Sequence, residues 1–138
     1  MAIQQQLVDT NVLVRFLTGE PAEMAAKARR LVERADSGEV VLVVLPVIVA
    51  ETFYTLESYY ELARQDVAAK LSEFLQSRGI ECMELPRIVN ALALCREEKA
   101  HFADAYLAAS ALELNSPVVS FDRDFDQFKG VRRVEPKA

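Results

Sequence analysis

Short continuous apolar runs alternate along this chain with longer stretches in which apolar residues have helical spacing. The short runs predict strands, which cover residues 6–8, 40–44, 81–84, 118–120 and 131–134. A run of β-branched residues such as the VVLVV of residues 40–44 is typical of a strand that is covered on both faces. The strand pattern therefore favours a sheet that is buried between layers of helices.

Between these runs, apolar residues recur every three or four positions, which predicts helices. The first helix begins near Asn11, and the others cover residues 21–38, 46–62, 64–79, 86–99 and 101–115. Pro21, Pro46 and Pro86 open three of them, because proline is favoured in the first helical turn. Alternating strands and helices predict an α/β fold with a parallel sheet and right-handed crossovers.

Composition narrows the class of protein. With 138 residues, 51% of them hydrophobic and 27% charged, the chain is predicted to form one globular domain over residues 1–138. A net charge of −5 argues against a basic nucleic-acid coat. The two cysteines lack zinc-finger spacing, the N-terminus lacks a signal-peptide pattern, and no apolar run is long enough for a membrane span. We therefore expect a cytoplasmic protein that does not contact a membrane.

Four acidic residues stand where an α/β fold binds its ligands, beyond the carboxyl ends of the strands. Asp9 directly follows the first predicted strand, and Asp122 follows the fourth. Glu51 lies about one turn into the helix after residues 40–44, and Asp104 lies in the first turn of helix 101–115. We expect all four side chains to reach the same edge of the sheet.

Each acid also has a purely structural interpretation. Asp9 could cap the helix that follows it, Asp104 could complement the helix dipole, and Asp122 could form an Asx turn. Glu51 resists such an interpretation, because its neighbours are expected to be buried and no cation stands one helical turn away. Four acids that converge on one edge favour a site over four separate structural roles.

The residue types indicate what this site binds. Crowded carboxylates repel one another unless a cation lies between them, and oxygen ligands suit Mg²⁺ or Mn²⁺ better than zinc. The single histidine, His101, cannot build a multi-histidine site. A hard cation held by carboxylates is typical of phosphoryl chemistry. The chain has no GxxxxGK[ST], GxGxxG or GxSxG motif that would indicate a different mechanism.

Four segments together resemble a known family. LVDTNVLVRFL, PVIVAETFYTL, FADAYLAASAL and PVVSFDRDFDQF resemble, in order, the successive motifs of PIN-domain nucleases, especially the VapC-type toxins of bacterial toxin–antitoxin pairs. The resemblance implies a three-layer α/β/α sandwich with a central five-stranded parallel sheet. It also implies cleavage of RNA that depends on Mg²⁺ or Mn²⁺ and leaves a 3′-hydroxyl and a 5′-phosphate.

The resemblance extends to individual positions. The acids that match the family's catalytic and metal-binding positions are Asp9, Glu51, Asp104 and Asp122. Asn11 matches the polar residue that orders the first aspartate, and Ser120 stands where the family usually has threonine. The fourth acid is chosen as Asp122 because it lies nearest the strand end. Asp124 is the second choice, and Asp126 is expected to face solvent or cap a short turn.

RNA must approach an acidic site, so basic residues are expected at its rim. Arg15 and Arg123 are the favoured substrate-binding residues, because each lies close in sequence to a proposed catalytic acid. The basic residues of KARRLVER are expected to form a solvated helix face instead. The aromatic helix at residues 46–62 suits a homodimer interface or a groove for an antitoxin, and the resemblance implies both partners.

Two alternatives to a ribonuclease remain open. One is another Mg²⁺-dependent phosphoryl-transfer protein, such as a phosphatase or a receiver domain, although Glu51 would then have no role. The other is a catalytically silent PIN-like module that binds or scaffolds a partner. The sequence leaves open which RNA is cut, whether one or two metal ions act, and whether the protein is a toxin or a housekeeping nuclease.

Overall fold

The computed structural model describes residues 3–137. Its elements in chain order are β1 (Gln4–Leu7), α1 (Thr10–Thr18), α2 (Ala22–Asp36), β2 (Val40–Val44), α3 (Pro46–Ser58), α4 (Arg64–Leu75), β3 (Ile80–Cys82), α5 (Leu85–Glu98), α6 (Phe102–Leu114), β4 (Val118–Val119), a short 3₁₀ helix (Arg123–Gln127) and β5 (Arg133–Val134). Every predicted strand overlaps an observed one. The predicted α/β class is confirmed.

The five strands form two separate parallel sheets within residues 3–137. The larger sheet has the order β1-β2-β3, and the smaller sheet pairs β4 with β5. The expected single five-stranded sheet is therefore not what the described residues show. β4 has only two residues, and the amides of Val118 and Ser120 already donate to the carbonyls of Arg132 and Val134 at 2.8 and 2.9 Å. These bonds use one edge of β4, and a strand of two residues has few groups on its other edge for a second ladder.

β2 is the central strand of the larger sheet. Its residues Val40, Leu42 and Val44 are buried, and the alternate residues Val41 and Val43 are half-buried. Both faces are thus largely covered, as the VVLVV run predicted. β1 is different, because its sequence QQQL is polar and mostly exposed, and it pairs with β2 along four residues.

The helices begin and end close to the predicted proline and glycine positions, with small shifts. α3 begins at Pro46 as predicted, whereas Pro21 stands just before α2. α4 ends at Leu75, well before Gly79. Gly79 leads into β3 with a φ of 81°, and a Cβ at this position would lie 2.2 Å from the carbonyl oxygen of Ala35. Only glycine fits here, so the residue serves the start of β3 rather than the end of α4.

The two helices before β4 carry much of the core. α5 buries Ile88 and Leu92, whereas after Phe102 in its first turn α6 contributes small side chains to the interior. The buried alanines of α6 are Ala105, Ala108, Ala109 and Ala111. α6 ends as predicted at Asn115, which adopts a left-handed conformation with a φ of 49°. Within residues 3–137, none of the helices has the length and apolar character that a membrane span requires.

Candidate active site

Asp9 lies at the junction of β1 and α1. The amide of Val8 still donates to the carbonyl of Val43 at 3.1 Å, so Asp9 follows the last residue that bonds to β2. Its Oδ1 accepts a hydrogen bond of 2.8 Å from the amide of Thr10 at the start of α1. The capping interpretation is confirmed. The carboxylate is also exposed, and its Oδ2 has no hydrogen bond or ion pair with the described residues.

Glu51 lies on the outer face of α3 and is exposed, although most of the residues that flank it in sequence are buried or half-buried, as expected. The buried residues of this helix are Val49, Thr52, Phe53 and Leu56. Glu51 falls on the opposite face together with Val47 and Tyr54, which are 66% and 68% exposed. Positions 47, 51 and 54 share one face because they are four and three residues apart. The carboxylate of Glu51 is therefore in contact with water and does not need a buried counter-charge.

A groove connects Glu51 with the start of α6. It has a volume of about 520 Å³, and its apolar lining includes Val47, Tyr54 and Phe102. Ala103, the residue before Asp104, also lines it. The structure thus places Glu51 and the first turn of α6 on the walls of one groove.

Asp104 is half-buried in the first turn of α6, where its charge complements the helix dipole. Its influence reaches the buried thiol of Cys95 on α5. Burial raises the pKa of Cys95 to about 12, Arg64 acts in the opposite direction, and the negative charges of Glu57 and Asp104 raise it further. Asp104 therefore lies within electrostatic range of a charged cluster that joins several helices.

Asp122 forms the Asx turn that its sequence context allows. Its Oδ1 accepts a hydrogen bond of 2.8 Å from the amide of Asp124, in the first turn of the short 3₁₀ helix. The hydroxyl of Ser120 accepts one of 2.9 Å from the amide of Asp122, so Ser120 fixes the backbone of this acid. Asp124 is exposed. Asp126 is exposed, as expected, and pairs with Arg133 at 3.0 Å.

The described residues do not gather these acids around one point. Within residues 3–137, no three Asp, Glu, His or Cys side chains form a group that could hold a metal ion. The donor set fits a hard cation, because it consists of carboxylate oxygens that make no ion pair in the described part of the chain. The four-acid metal site stays a prediction.

Arg15 and Asn11 line a second groove of about 430 Å³ between α1 and α2. Arg15 is half-buried, and its Nη1 donates to the hydroxyl of Tyr60 at 2.9 Å. Its Nε is buried and has no partner among the described residues. Lys27 adds a second cation to the lining of this groove. A negatively charged ligand in this groove would therefore meet two cations.

The remaining basic residues are on the surface. Arg123 is exposed at the start of the 3₁₀ helix, beside Asp122. The basic residues of α2, which are Lys27, Arg29, Arg30 and Arg34, are all exposed, as expected for a solvated helix face. Arg34 pairs with Glu39 at 3.0 Å.

Sequence reasoning gave no role to Glu57 or Arg64, which form a charged cluster with His101. Arg64 begins α4, and its Nε donates to the Oε2 of Glu57 on α3. Its Nη1 donates to the carbonyl of Lys99, and its Nη2 lies 3.3 Å from the Nδ1 of His101. We call Glu57, Arg64 and His101 the Arg64 cluster. Its members are far apart in sequence, so no local pattern indicated it.

Comparisons with known proteins identify the family. The PIN domain family model matches residues 7–131. A VapC ribonuclease from Aquifex aeolicus (strain VF5) is 30% identical to this chain over 132 residues. That match covers 95% of this chain and 96% of the relative. The resemblance drawn from the four segments is confirmed, and the chain belongs to the PIN-domain family.

Proposed function

We propose that residues 1–138 form one PIN domain that cleaves RNA as an endoribonuclease and acts as the toxin of a toxin–antitoxin pair. The observation that carries this proposal is the match to a VapC ribonuclease over nearly the full length of both chains. The positions of the acids support it, because Asp9 and Asp122 follow strands, and Asp104 lies in the first turn of a helix. These are the places where α/β folds bind their ligands.

Mg²⁺ or Mn²⁺ would be held by Asp9, Glu51 and Asp104, with Asp122 closing the cluster. When bound, such a cation supplies the positive charge that activates water and stabilises the leaving oxygen of a phosphodiester. Three of these carboxylates are exposed and only Asp104 is half-buried. Exposed side chains change rotamer at little cost, so Glu51 is free to turn towards Asp104. Asp9 and Asp122 are each held through one carboxylate oxygen by a backbone amide and keep the other oxygen for a cation.

The remaining roles belong to the chain itself. One carboxylate of the cluster accepts the proton of the attacking water, and the products carry a 3′-hydroxyl and a 5′-phosphate. The capping bond from Thr10 fixes one oxygen of Asp9 and leaves the other free for this work. Asn11 helps to orient Asp9. Ser120 positions Asp122 through its bond to the backbone, and Asp124 is the alternative fourth acid.

Arg15 and Arg123 would bind the phosphates on either side of the cleaved bond. Arg123 is exposed beside Asp122. Arg15 lies one helical turn after Asn11 on α1 and lines the same groove. Contacts between cations and phosphates release counterions, so RNA binding should weaken as salt concentration rises. The exposed aromatic face of α3 supports a homodimer or an antitoxin contact, because Val47 and Tyr54 leave apolar surface uncovered in the single chain. The protein would act in the cytoplasm.

The deciding experiment measures cleavage of labelled total tRNA by the purified protein in Mg²⁺, in Mn²⁺ and in EDTA. Asp9→Asn should lower the rate by at least about 100-fold, because a lost metal ligand should cost no less than a lost outer partner. Asparagine caps helices about as well as aspartate, so the melting temperature should hardly change. Asp66→Asn is the matched control, since Asp66 is an exposed aspartate in the first turn of α4.

Equal cleavage by the wild-type protein and Asp9→Asn would indicate a contaminating nuclease and leave the proposed site unsupported. Failure to cut tRNA would direct the assay to ribosomal and messenger RNA. Failure to bind Mg²⁺ or Mn²⁺ as well would refute the metal site. The catalytically silent PIN-like module would then be the better description.

A further inference from the structure

We infer that Arg64 is a positioning residue for the proposed site, which holds the start of α6, with Asp104, against α3, with Glu51. The inference rests on the proposed function, because it assigns Arg64 a role in the geometry of those acids. Arg64 itself belongs to α4 and touches neither acid. Its effect on the site passes through the two helices that it connects.

The guanidinium of Arg64 contacts three residues, which belong to two other segments of the chain. One side donates to the carboxylate of Glu57, six residues after Glu51 on the same helix. The other side donates to the carbonyl of Lys99 and lies 3.3 Å from the Nδ1 of His101. Glu57 also lies 3.4 Å from His101, so the three side chains form a closed group. A planar guanidinium with five donors suits this arrangement better than an ammonium group does.

Two of the Arg64 contacts are with the turn between α5 and α6, which leads into the helix that carries Asp104. Lys99 ends α5 in a left-handed conformation with a φ of 56°, and His101 precedes the first residue of α6. A non-glycine residue at positive φ is strained, so a bond to its carbonyl helps to hold it there. The amide of Ala105 then donates to the carbonyl of His101 at 3.0 Å, which begins the hydrogen bonding of α6.

The surroundings of Cys95 support the same picture. The thiol is buried, which raises its pKa, and the charges of Arg64, Glu57 and Asp104 also act on that pKa. Asp104 is thus electrostatically close to the group that fixes the α5–α6 turn. Small movements of this turn would change the separation between Asp104 and Glu51, and metal sites tolerate only a few tenths of an ångström.

Two measurements on Arg64→Met test the inference, with Arg64→Lys as the conservative variant. Arg34→Met is the control, because Arg34 makes one exposed ion pair on α2. The first measurement is hydrogen exchange of the Ala105 amide by NMR without added metal. The second is the dissociation constant for Mn²⁺, followed by electron paramagnetic resonance. Neither requires RNA cleavage.

Arg64→Met should speed Ala105 exchange by about tenfold and weaken Mn²⁺ binding by about tenfold, the lower end of the range for outer partners of metal sites, because Arg64 touches neither acid. Arg64→Lys should be intermediate, because an ammonium group keeps the charge but cannot reach all three partners. Arg34→Met should match the wild type in both. If Arg64→Met does not fold, the comparison of Arg64→Lys with the wild type decides.

Unchanged Ala105 exchange in a folded Arg64 variant would overturn the inference. Faster exchange with unchanged Mn²⁺ affinity would also overturn it, because Arg64 would then hold the turn without affecting the site. A wild-type protein that neither binds Mn²⁺ nor cleaves RNA would instead refute the proposed function, and the positioning role would fail with it. If the wild type cleaves RNA and the Arg64 variants match it in Ala105 exchange and Mn²⁺ affinity, the positioning role is refuted and the proposed nuclease function stands.

Discussion

Asp9 and Asp122 occupy matching places in two unequal sheets. Each follows a strand, and each uses one carboxylate oxygen to accept a hydrogen bond of 2.8 Å from a backbone amide at the start of a helix. Asp9 stands between a four-residue strand and a nine-residue helix that buries Leu13 and Val14. Asp122 stands between a two-residue strand and a five-residue 3₁₀ helix that buries Phe125.

The difference shows that a local hydrogen bond does not determine how firmly an acid is held. The bonds at Asp9 and Asp122 are equal in length, but the ladders and packed helices around them are not. We therefore expect the position of Asp9 to be set by the larger sheet and that of Asp122 to be more adjustable. A metal cluster assembled from both would combine a fixed ligand with a mobile one.

The glycines that precede β3 and β5 give the strongest contrast between the two sheets. Gly79→Ala should lower the free energy of unfolding by about 3 kcal/mol or more, because a left-handed residue acquires a Cβ 2.2 Å from the backbone of Ala35. Gly130→Ala should cost about 1 kcal/mol, because the nearest atom is the movable end of Leu112 at 3.2 Å. Urea denaturation of both variants measures the two values.

Gly38→Ala is the control for the backbone conformation alone. Gly38 has a φ of 87° and no heavy atom within 4 Å of a built Cβ, so it reports the cost of the left-handed conformation without a clash. Gly79→Ala and Gly38→Ala of equal stability would contradict the tight packing of the larger sheet against α2.

Truncation of strand side chains should have the next largest difference in effect between the two sheets. Leu42→Ala should cost about 3 kcal/mol, because Leu42 is 1% exposed in the central strand and its loss leaves a cavity. Val119→Ala should change stability by less than about 0.5 kcal/mol, because Val119 is 62% exposed in β4. Thermal unfolding followed by circular dichroism measures both. A large loss for Val119→Ala would show that the smaller sheet has a covered face in solution, for example in a dimer.

A small effect is also expected at Ser120, whose hydroxyl accepts the hydrogen bond from the amide of Asp122. Ser120→Ala removes one partly exposed bond and should cost about 1 kcal/mol or less. If Asp122 takes part in cleavage, the rate should fall about threefold as its position becomes less defined. Ser110→Ala is the control, because the hydroxyl of Ser110 donates within α6 to the carbonyl of Tyr106. Equal cleavage rates for the two variants would remove Ser120 from the site.

Local patterns predicted the elements well because their causes are local. The VVLVV strand, the start of α3 at Pro46 and the end of α6 at Asn115 each follow from residues within a few positions. The caps at Asp9 and Asp122 were open to prediction for the same reason. The division into two sheets was not, because it depends on whether β4 or β5 pairs with a strand of the larger sheet, which lies far away in the sequence.

The errors at the site have a different origin. Apolar residues surround Glu51 in sequence, but two of them, Val47 and Tyr54, lie on the exposed face of α3. A helix that is apolar nearly all round does not reveal from sequence which side is covered. Arg64 was missed because its partners lie 7, 35 and 37 residues away, and only the folded chain brings them together.

The buried alanines of α6 also limit how this chain can evolve. Ala105, Ala108, Ala109 and Ala111 are the smallest side chains that can fill a helix interface, so any substitution other than glycine adds volume to a packed region. Added volume moves the whole helix, and Asp104 moves with it. Selection that preserves the position of Asp104 would then also restrict substitutions at these alanines, which do not contact RNA. Replacing these alanines with residues of gradually larger volume would therefore shift the position of Asp104 in small steps, without changing any residue of the site.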